Sequence, residues 1–234
     1  MTDAPTAFAS REPISVPFGI DRLPADPGAW QGIPRIRLRP GEVLRLNSEE
    51  FDLPQPAIGQ EDVPLDVRLA DHLKRLFGSW NRTAALFIDG YFAFLRGVID
   101  ENRTRIEQRL ARFAGLFDPA DMLYSAPLPL PRAIVPLPTE AAGAQSGGPV
   151  PVDALFWLGE LAEAVLFSPS PLLPAADRRR RERLANAGIG VTALGAADLA
   201  RPETFSKLLG QWGIGFWQDE VLPTAPGLPR LPEF

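Results

Sequence analysis

The spacing of apolar and polar positions changes several times along the chain, and each change marks an element. In LDVRLADHLKRLFG, residues Leu65, Leu69, Leu73, Leu76 and Phe77 recur at three- and four-residue intervals, which predicts a helix over 65–77 stopped at Gly78. The next run, TAALFID (83–89), is continuously apolar and ends in Asp89-Gly90, so it predicts a strand buried on both faces. Helical spacing returns over 91–117, with Phe94, Val98, Ile106, Leu110, Phe113 and Phe117 inward. After the Asp118-Pro119 break, DMLYSAP (121–127) predicts a short strand. Further on, 152–164 predicts an apolar helix, VLFS (165–168) a buried strand, 174–188 a helix closed by Gly188, and 189–195 another strand. Strand and helix signals alternate, so a parallel pair with a crossover helix is the economical reading. The expected class is α/β, a mostly parallel sheet flanked by helices, with Pro-rich extended arms at both ends.

The first arm, 1–64, holds one patterned piece, IPRIRLRPGEVLRL (33–46). Ile36 and Leu38 alternate with Arg35, Arg37 and Arg39, the chain turns at Pro40-Gly41, and EVLRL resumes. This predicts a two-stranded ribbon with arginines on one face. Such a ribbon is marginal alone and must lean on its own core or on a partner. The core is expected over 65–201, interrupted by a Pro-, Gly- and Ser-rich connection at 127–151. Residues 202–234 form an aromatic helical segment and a second Pro-rich tail.

Composition sharpens this outline at one point. Of 234 residues, 26 are Pro, twice the usual share of about 5%, and they crowd before Asp66, within 127–151 and after Arg201. With no Cys and one His (His72), disulfide scaffolds, cysteine zinc sites and thiol catalysis fall away. That leaves carboxylates as the leading chemical groups. A net charge of -5 argues against binding nucleic acid by bulk charge. No basic and apolar leader opens the sequence and no apolar run reaches the roughly 18 residues of a membrane span, so no span and a cytoplasmic location are expected.

Asp89 is the leading chemical candidate, because a carboxylate at the carboxyl end of a buried strand sits where open α/β sheets bind ligands, and Gly90 lets the backbone turn there. Capping of the following helix is the structural alternative. The run ADRRRRERL (176–184) reads as a solvated helix face before a phosphate stripe, and the Trp212, Phe216, Trp217 stripe as packing or interface before a base-stacking platform.

RTAALFIDGYFAFLRG resembles the opening strand of NYN-domain proteins, relatives of the PIN-like ribonucleases, most specifically at Phe87-Ile88-Asp89-Gly90. Later segments run in the same order over about 82–195. The resemblance implies a Mg²⁺ or Mn²⁺ site with Asp89 as the first ligand and Asp153 or Glu160 among the middle acids, with Asp198 a further candidate to complete it. Ser170 and Leu172 stand where the two late aspartates of the family would lie, which implies a degenerate member, a pseudoenzyme with an incomplete metal site.

Two functions from different classes follow. The first is a non-catalytic interaction or structural subunit of a larger protein assembly without a cofactor, its arms lying along a partner through aromatic anchors such as Phe8, Phe18, Trp30, Phe51 and Phe234, with Trp212, Phe216 and Trp217 as further interface residues. The alternative is a divalent-metal-dependent ribonuclease, for which RNA is the partner. A vaguer third is a small-ligand binder using Gly90, Ser168 and Ser170 at the strand ends.

Overall fold

The computed structural model describes residues 12–20, 30–48, 51, 63–78, 81–113, 116–137, 148–159, 161–167, 175–201 and 203–210. The class is α/β. Its main sheet has four strands in the order β3 (Leu130–Pro131), β6 (Ala154–Trp157), β7 (Ala162–Phe167) and β8 (Gly190–Leu194), while β1 (Ile14–Pro17) with β2 (Arg35–Leu38), and β4 (Ile134–Val135) with β5 (Val150–Pro151), form two short ribbons. The main sheet is mixed and not mostly parallel: β3 against β6 and β6 against β7 are antiparallel, and β7 with β8 is its one parallel pair. That pair is joined by α4 (Ala175–Asn186), the crossover helix expected from the alternating signals. The other helices are α1 (Leu65–Phe77), α2 (Arg82–Glu101), α3 (Arg103–Leu110), α5 (Ala196–Leu199) and α6 (Glu203–Gly210). No helix among the described residues is long and apolar enough to cross a membrane.

The run expected as a strand at 83–89 is the first two turns of α2. Asn81 caps it, its side-chain oxygen accepting from the Ala84 amide at 3.0 Å. The buried residues Ala84, Phe87, Ile88, Tyr91, Phe92, Leu95 and Ile99 follow helical spacing, whereas Leu86, apolar but exposed, masks that period in the sequence. Asp89-Gly90 is therefore mid-helix. Gly90 is not a turn residue: a β-carbon there would run into the ring of Phe205, so the missing side chain is what lets α6 settle onto α2. The helix pauses at Asn102, whose side chain bonds the Val98 carbonyl at 2.8 Å, before α3 begins.

Two further expectations are corrected. The described residues of 152–164 hold no helix; β6 and the start of β7 pair antiparallel, with Gly159, which has a φ of 90°, following β6. All four residues of β6 are buried, so the segment shows no period, and its Leu, Ala and Glu content mimics a helix. Residues 119–125 form a 3-10 turn instead of a strand, started by a reciprocal cap in which Asp118 accepts from Ala120 and Asp121 accepts from Asp118.

The N-terminal ribbon forms with a different partner. Arg35–Leu38 pairs with Ile14–Pro17, and its arginines face outward while Ile36 and Leu38 are buried. The turn at Pro40-Gly41 exists, closed by Glu42 N–H to the Arg39 carbonyl at 3.1 Å, but the chain beyond it leaves the ribbon. Val43 bridges Leu158 and Arg45 bridges Pro127. Val16, Phe18, Leu44, Leu46 and Phe51 belong to the same buried cluster as Phe87, Trp157 and Leu209, so the described part of 1–64 folds onto its own core.

At the centre of that cluster Phe87 contacts the rings of Phe77, Tyr91, Phe156, Phe167 and Phe205. Gly90→Ala tests this packing. In an open helix the change would add up to about 1 kcal/mol; here it is expected to cost about 1–3 kcal/mol by overpacking, read by urea denaturation, with partial recovery when Phe205→Leu is added. A stabilised single variant would contradict the close approach.

Candidate functional site

Asp89 lies on the exposed side of α2, where its Oδ1 pairs with Lys74 Nζ of α1 at 2.5 Å. It neither ends a strand nor caps a helix. With Arg96 to Asp66 at 3.2 Å, it gives the α1–α2 pair two interhelical ion pairs. Asp198 accepts from the Gly195 amide at 2.9 Å at the start of α5 and lies 3.7 Å from Arg201. Glu160, Ser168, Ser170, Leu172, Trp212, Phe216, Trp217, Phe8 and Phe234 lie outside the described residues. Asp89, Asp153 and Asp198 stand on three different parts of the fold, and no three His, Cys, Asp or Glu side chains among the described residues gather as metal ligands.

Asp153 is the most elaborately held of the expected acids. It occupies the joint between β5 and β6, with its backbone amide on the Val165 carbonyl and its carbonyl accepting from the Arg132 amide at 2.7 Å. Its carboxylate reaches across the sheet to accept from the Phe167 amide at 2.8 Å, at the carboxyl end of β7. Burial pushes the Asp153 carboxyl above the ordinary carboxylate range, and Asp177 adds to the rise. The Phe167 hydrogen bond, Arg180 and Arg132 oppose it. Arg180 in turn bonds Asp177 at 2.9 Å. Arg132 holds a left-handed backbone with φ of 47°, and its guanidinium passes over Gly78, where an added β-carbon would sit 3.0 Å from Nη1. The backbone and carboxylate hydrogen bonds of Asp153 thus clasp the end of β3 and the start of β6 to β7, with Arg180, Asp177 and Arg132 near enough to act on its charge.

A second buried acid carries little signal in the sequence. Glu163, in β7, accepts from Thr192 Oγ1 at 2.5 Å, and its carboxylate occupies the space a side chain at Gly190 would need. Only a lone acid inside the run AEAVLF, together with a Gly at the start of the next strand, hints at it. His72 meets Phe51 edge-on with ring centroids 5.7 Å apart, and is half-buried.

The aromatic anchors separate cleanly. Phe18 and Phe51 are core residues, 8% and 4% exposed, and so do not present themselves to a partner. Trp30 is half-exposed and lines an open groove of about 420 Å³ where the β1–β2 ribbon meets the β4–β5 ribbon. Pro17, Pro136 and Pro149 contribute to its walls, Ile134 and Leu137 add apolar surface, and Arg35 and Ser15 supply polar groups. A second cavity, about 270 Å³, opens at the end of β8 among Thr192, Asp198, Arg201, Glu203 and Lys207.

The clasp predicts a pH signature. Because the folded carboxyl of Asp153 titrates above its unfolded value, its ionised form costs stability above the folded pKa, and that cost disappears as pH falls toward the ordinary carboxylate value. Asp153→Asn keeps an acceptor for Phe167 and should be at least as stable as the parent at pH 7, the difference vanishing near pH 4. Asp153→Leu removes the acceptor and should cost about 1–3 kcal/mol. Urea titrations at both pH values decide; equal losses in the two variants would refute the assignment.

No protein-family model matches the chain, and no curated protein or solved structure is significantly similar to it.

Proposed function

We propose that this chain is a non-catalytic interaction subunit of a larger cytoplasmic protein assembly, and that its principal contact runs through the Trp30 groove. The observation that carries the reading is the half-exposed indole beside a wall of prolines. Tryptophan is the residue type most often responsible for binding energy at interfaces, and proline walls lose little entropy when a ligand docks. The groove is open and apolar with an arginine among its polar groups, a shape suited to an extended segment whose apolar side chains lie on the indole. The Pro-rich composition of both chain ends supports the same reading, since extended Pro-rich segments are already close to a docked conformation.

The resemblance to NYN-domain proteins implies a Mg²⁺- or Mn²⁺-dependent ribonuclease acting on RNA. That alternative draws no support from the surroundings of Asp89, whose carboxylate is engaged by Lys74 on an outer helix face.

Trp30→Ala tests the proposal. As a partly exposed position it should shift stability by roughly 0.5 kcal/mol or less, while removing the partners that copurify with the tagged full chain from its native host. Retention of the same partner set, at unchanged folding by circular dichroism, would remove the groove from the interface.

A further inference from the structure

The cavity at the end of β8 is assembled from elements that follow one another in the chain. β8 supplies Thr192 and Leu194, α5 supplies Asp198, and α6 supplies Glu203, Lys207 and Leu208. β7 and β8 are the parallel pair of the sheet, and the carboxyl end of parallel strands is where open α/β sheets take small ligands. At about 270 Å³ the cavity lies just below the about 300–1,000 Å³ of sites for drug-sized molecules, which limits an occupant to a small metabolite. The buried Leu194 and Leu208 give it apolar wall, and the exposed Glu203 and Lys207 give it charged rim.

The hydrogen bonds around the cavity decide what the lining can still offer. Both of its hydroxyls already donate within the protein, Thr192 Oγ1 to the Glu163 carboxylate at 2.5 Å and Thr204 Oγ1 to the Asp198 carbonyl. A hydroxyl has one hydrogen, so each threonine keeps only lone pairs for a ligand. Asp198 is held by the Gly195 amide at 2.9 Å and stands 3.7 Å from Arg201, so these two charges offset each other. Glu203 and Lys207 are neighbours one helical turn apart and form no ion pair among the described residues. Hydroxyl lone pairs beside an open carboxylate suit an ammonium donor, and the open Lys207 suits a carboxylate next to it. A ligand of one sign would leave one of these rim charges unanswered.

We propose that this cavity binds a free α-amino acid with an aliphatic side chain, its ammonium on Glu203 and the threonine oxygens, its carboxylate on Lys207, and its hydrocarbon against Leu194 and Leu208. The end of a peptide chain carries only one of the two charges, so the free amino acid is the matching form. The site is separate from the Trp30 groove and gives the chain a small-molecule ligand beyond its reading as an interaction subunit.

The test is isothermal titration of the full chain with L-leucine. A ligand of about nine non-hydrogen atoms is expected to bind with a Kd of about 1 mM or tighter. N-acetyl-L-leucine and L-leucinamide, each lacking one charge, should bind at least about tenfold more weakly. Glu203→Gln and Lys207→Gln should each weaken leucine by a similar factor, with the circular dichroism of both variants unchanged because the two side chains are exposed. No heat up to about 10 mM leucine, equal binding of either blocked compound, or undiminished binding by either variant would each overturn the proposal. Trp30→Ala should leave leucine binding intact, so failure of the groove and failure of the cavity are read separately.

Discussion

The fold depends on α2 being buried along one whole side. Its residues Phe87 and Tyr91 bring the rings of α1, β6, β7 and α6 to one place, so that two further helices and two strands share one aromatic centre. Tyr91 is fully buried and gives its hydroxyl hydrogen to the Pro127 carbonyl at 2.5 Å. A proline has no amide to offer a neighbour, but its carbonyl still needs a donor away from water, and the phenol supplies it. Burial raises the Tyr91 pKa further above its ordinary value, which keeps the hydroxyl a donor. Arg45 plays the companion part, bonding the Ser125 carbonyl of the same loop. The irregular stretch 119–128 is held by these side chains together with backbone hydrogen bonds to residues 44–47.

How much of this was legible depends on whether an element shows one face to water. α1 and α4 do, and the sequence period places both within a residue or two. β8 was legible through its Gly boundaries, and the crossover topology followed. The start of α2 was not, because Leu86 extends the apolar run beyond the buried stripe and turns a period of 3.6 into a block. The β6–β7 hairpin was hidden for the opposite reason: β6 is buried on both faces, so no alternation exists to be read. Of the site residues, Asp153 was found for its chemistry, while its role as an anchor for the Phe167 amide depends on sheet register, which spacing does not encode. Trp30 was found by residue type. Its separation from Phe18 and Phe51, equally aromatic and equally flanked by prolines, is decided by tertiary packing alone.

The glycines show the same division between local and tertiary causes. Gly41 and Gly159 each sit in a turn with positive φ, where glycine is the ordinary choice. Their two turns also meet: the Gly41 amide bonds the Gly159 carbonyl at 3.1 Å, and a β-carbon on Gly159 would stand 3.1 Å from the Gly41 carbonyl carbon. The first requirement is visible in sequence and the second is not. Gly90 and Gly190 have no turn to explain them. They are spaces reserved for Phe205 and Glu163.

The segment following the N-terminal ribbon lies between the end of the β6–β7 hairpin and the 124–128 loop, stitched to both, and its bond from Trp157 to the Arg39 carbonyl spans 118 residues of chain. During synthesis this segment leaves the ribosome long before either neighbour exists. Such distant closures are slow, and an unpaired strand that must wait is exposed to wrong pairing. Pro40 stands at the head of this waiting segment, and Pro34 and Pro40 bracket β2, whose partner β1 is made before it. The order of synthesis thus gives the N-terminal ribbon both its strands at once and leaves residues 41–47 to close last, after the hairpin has been made.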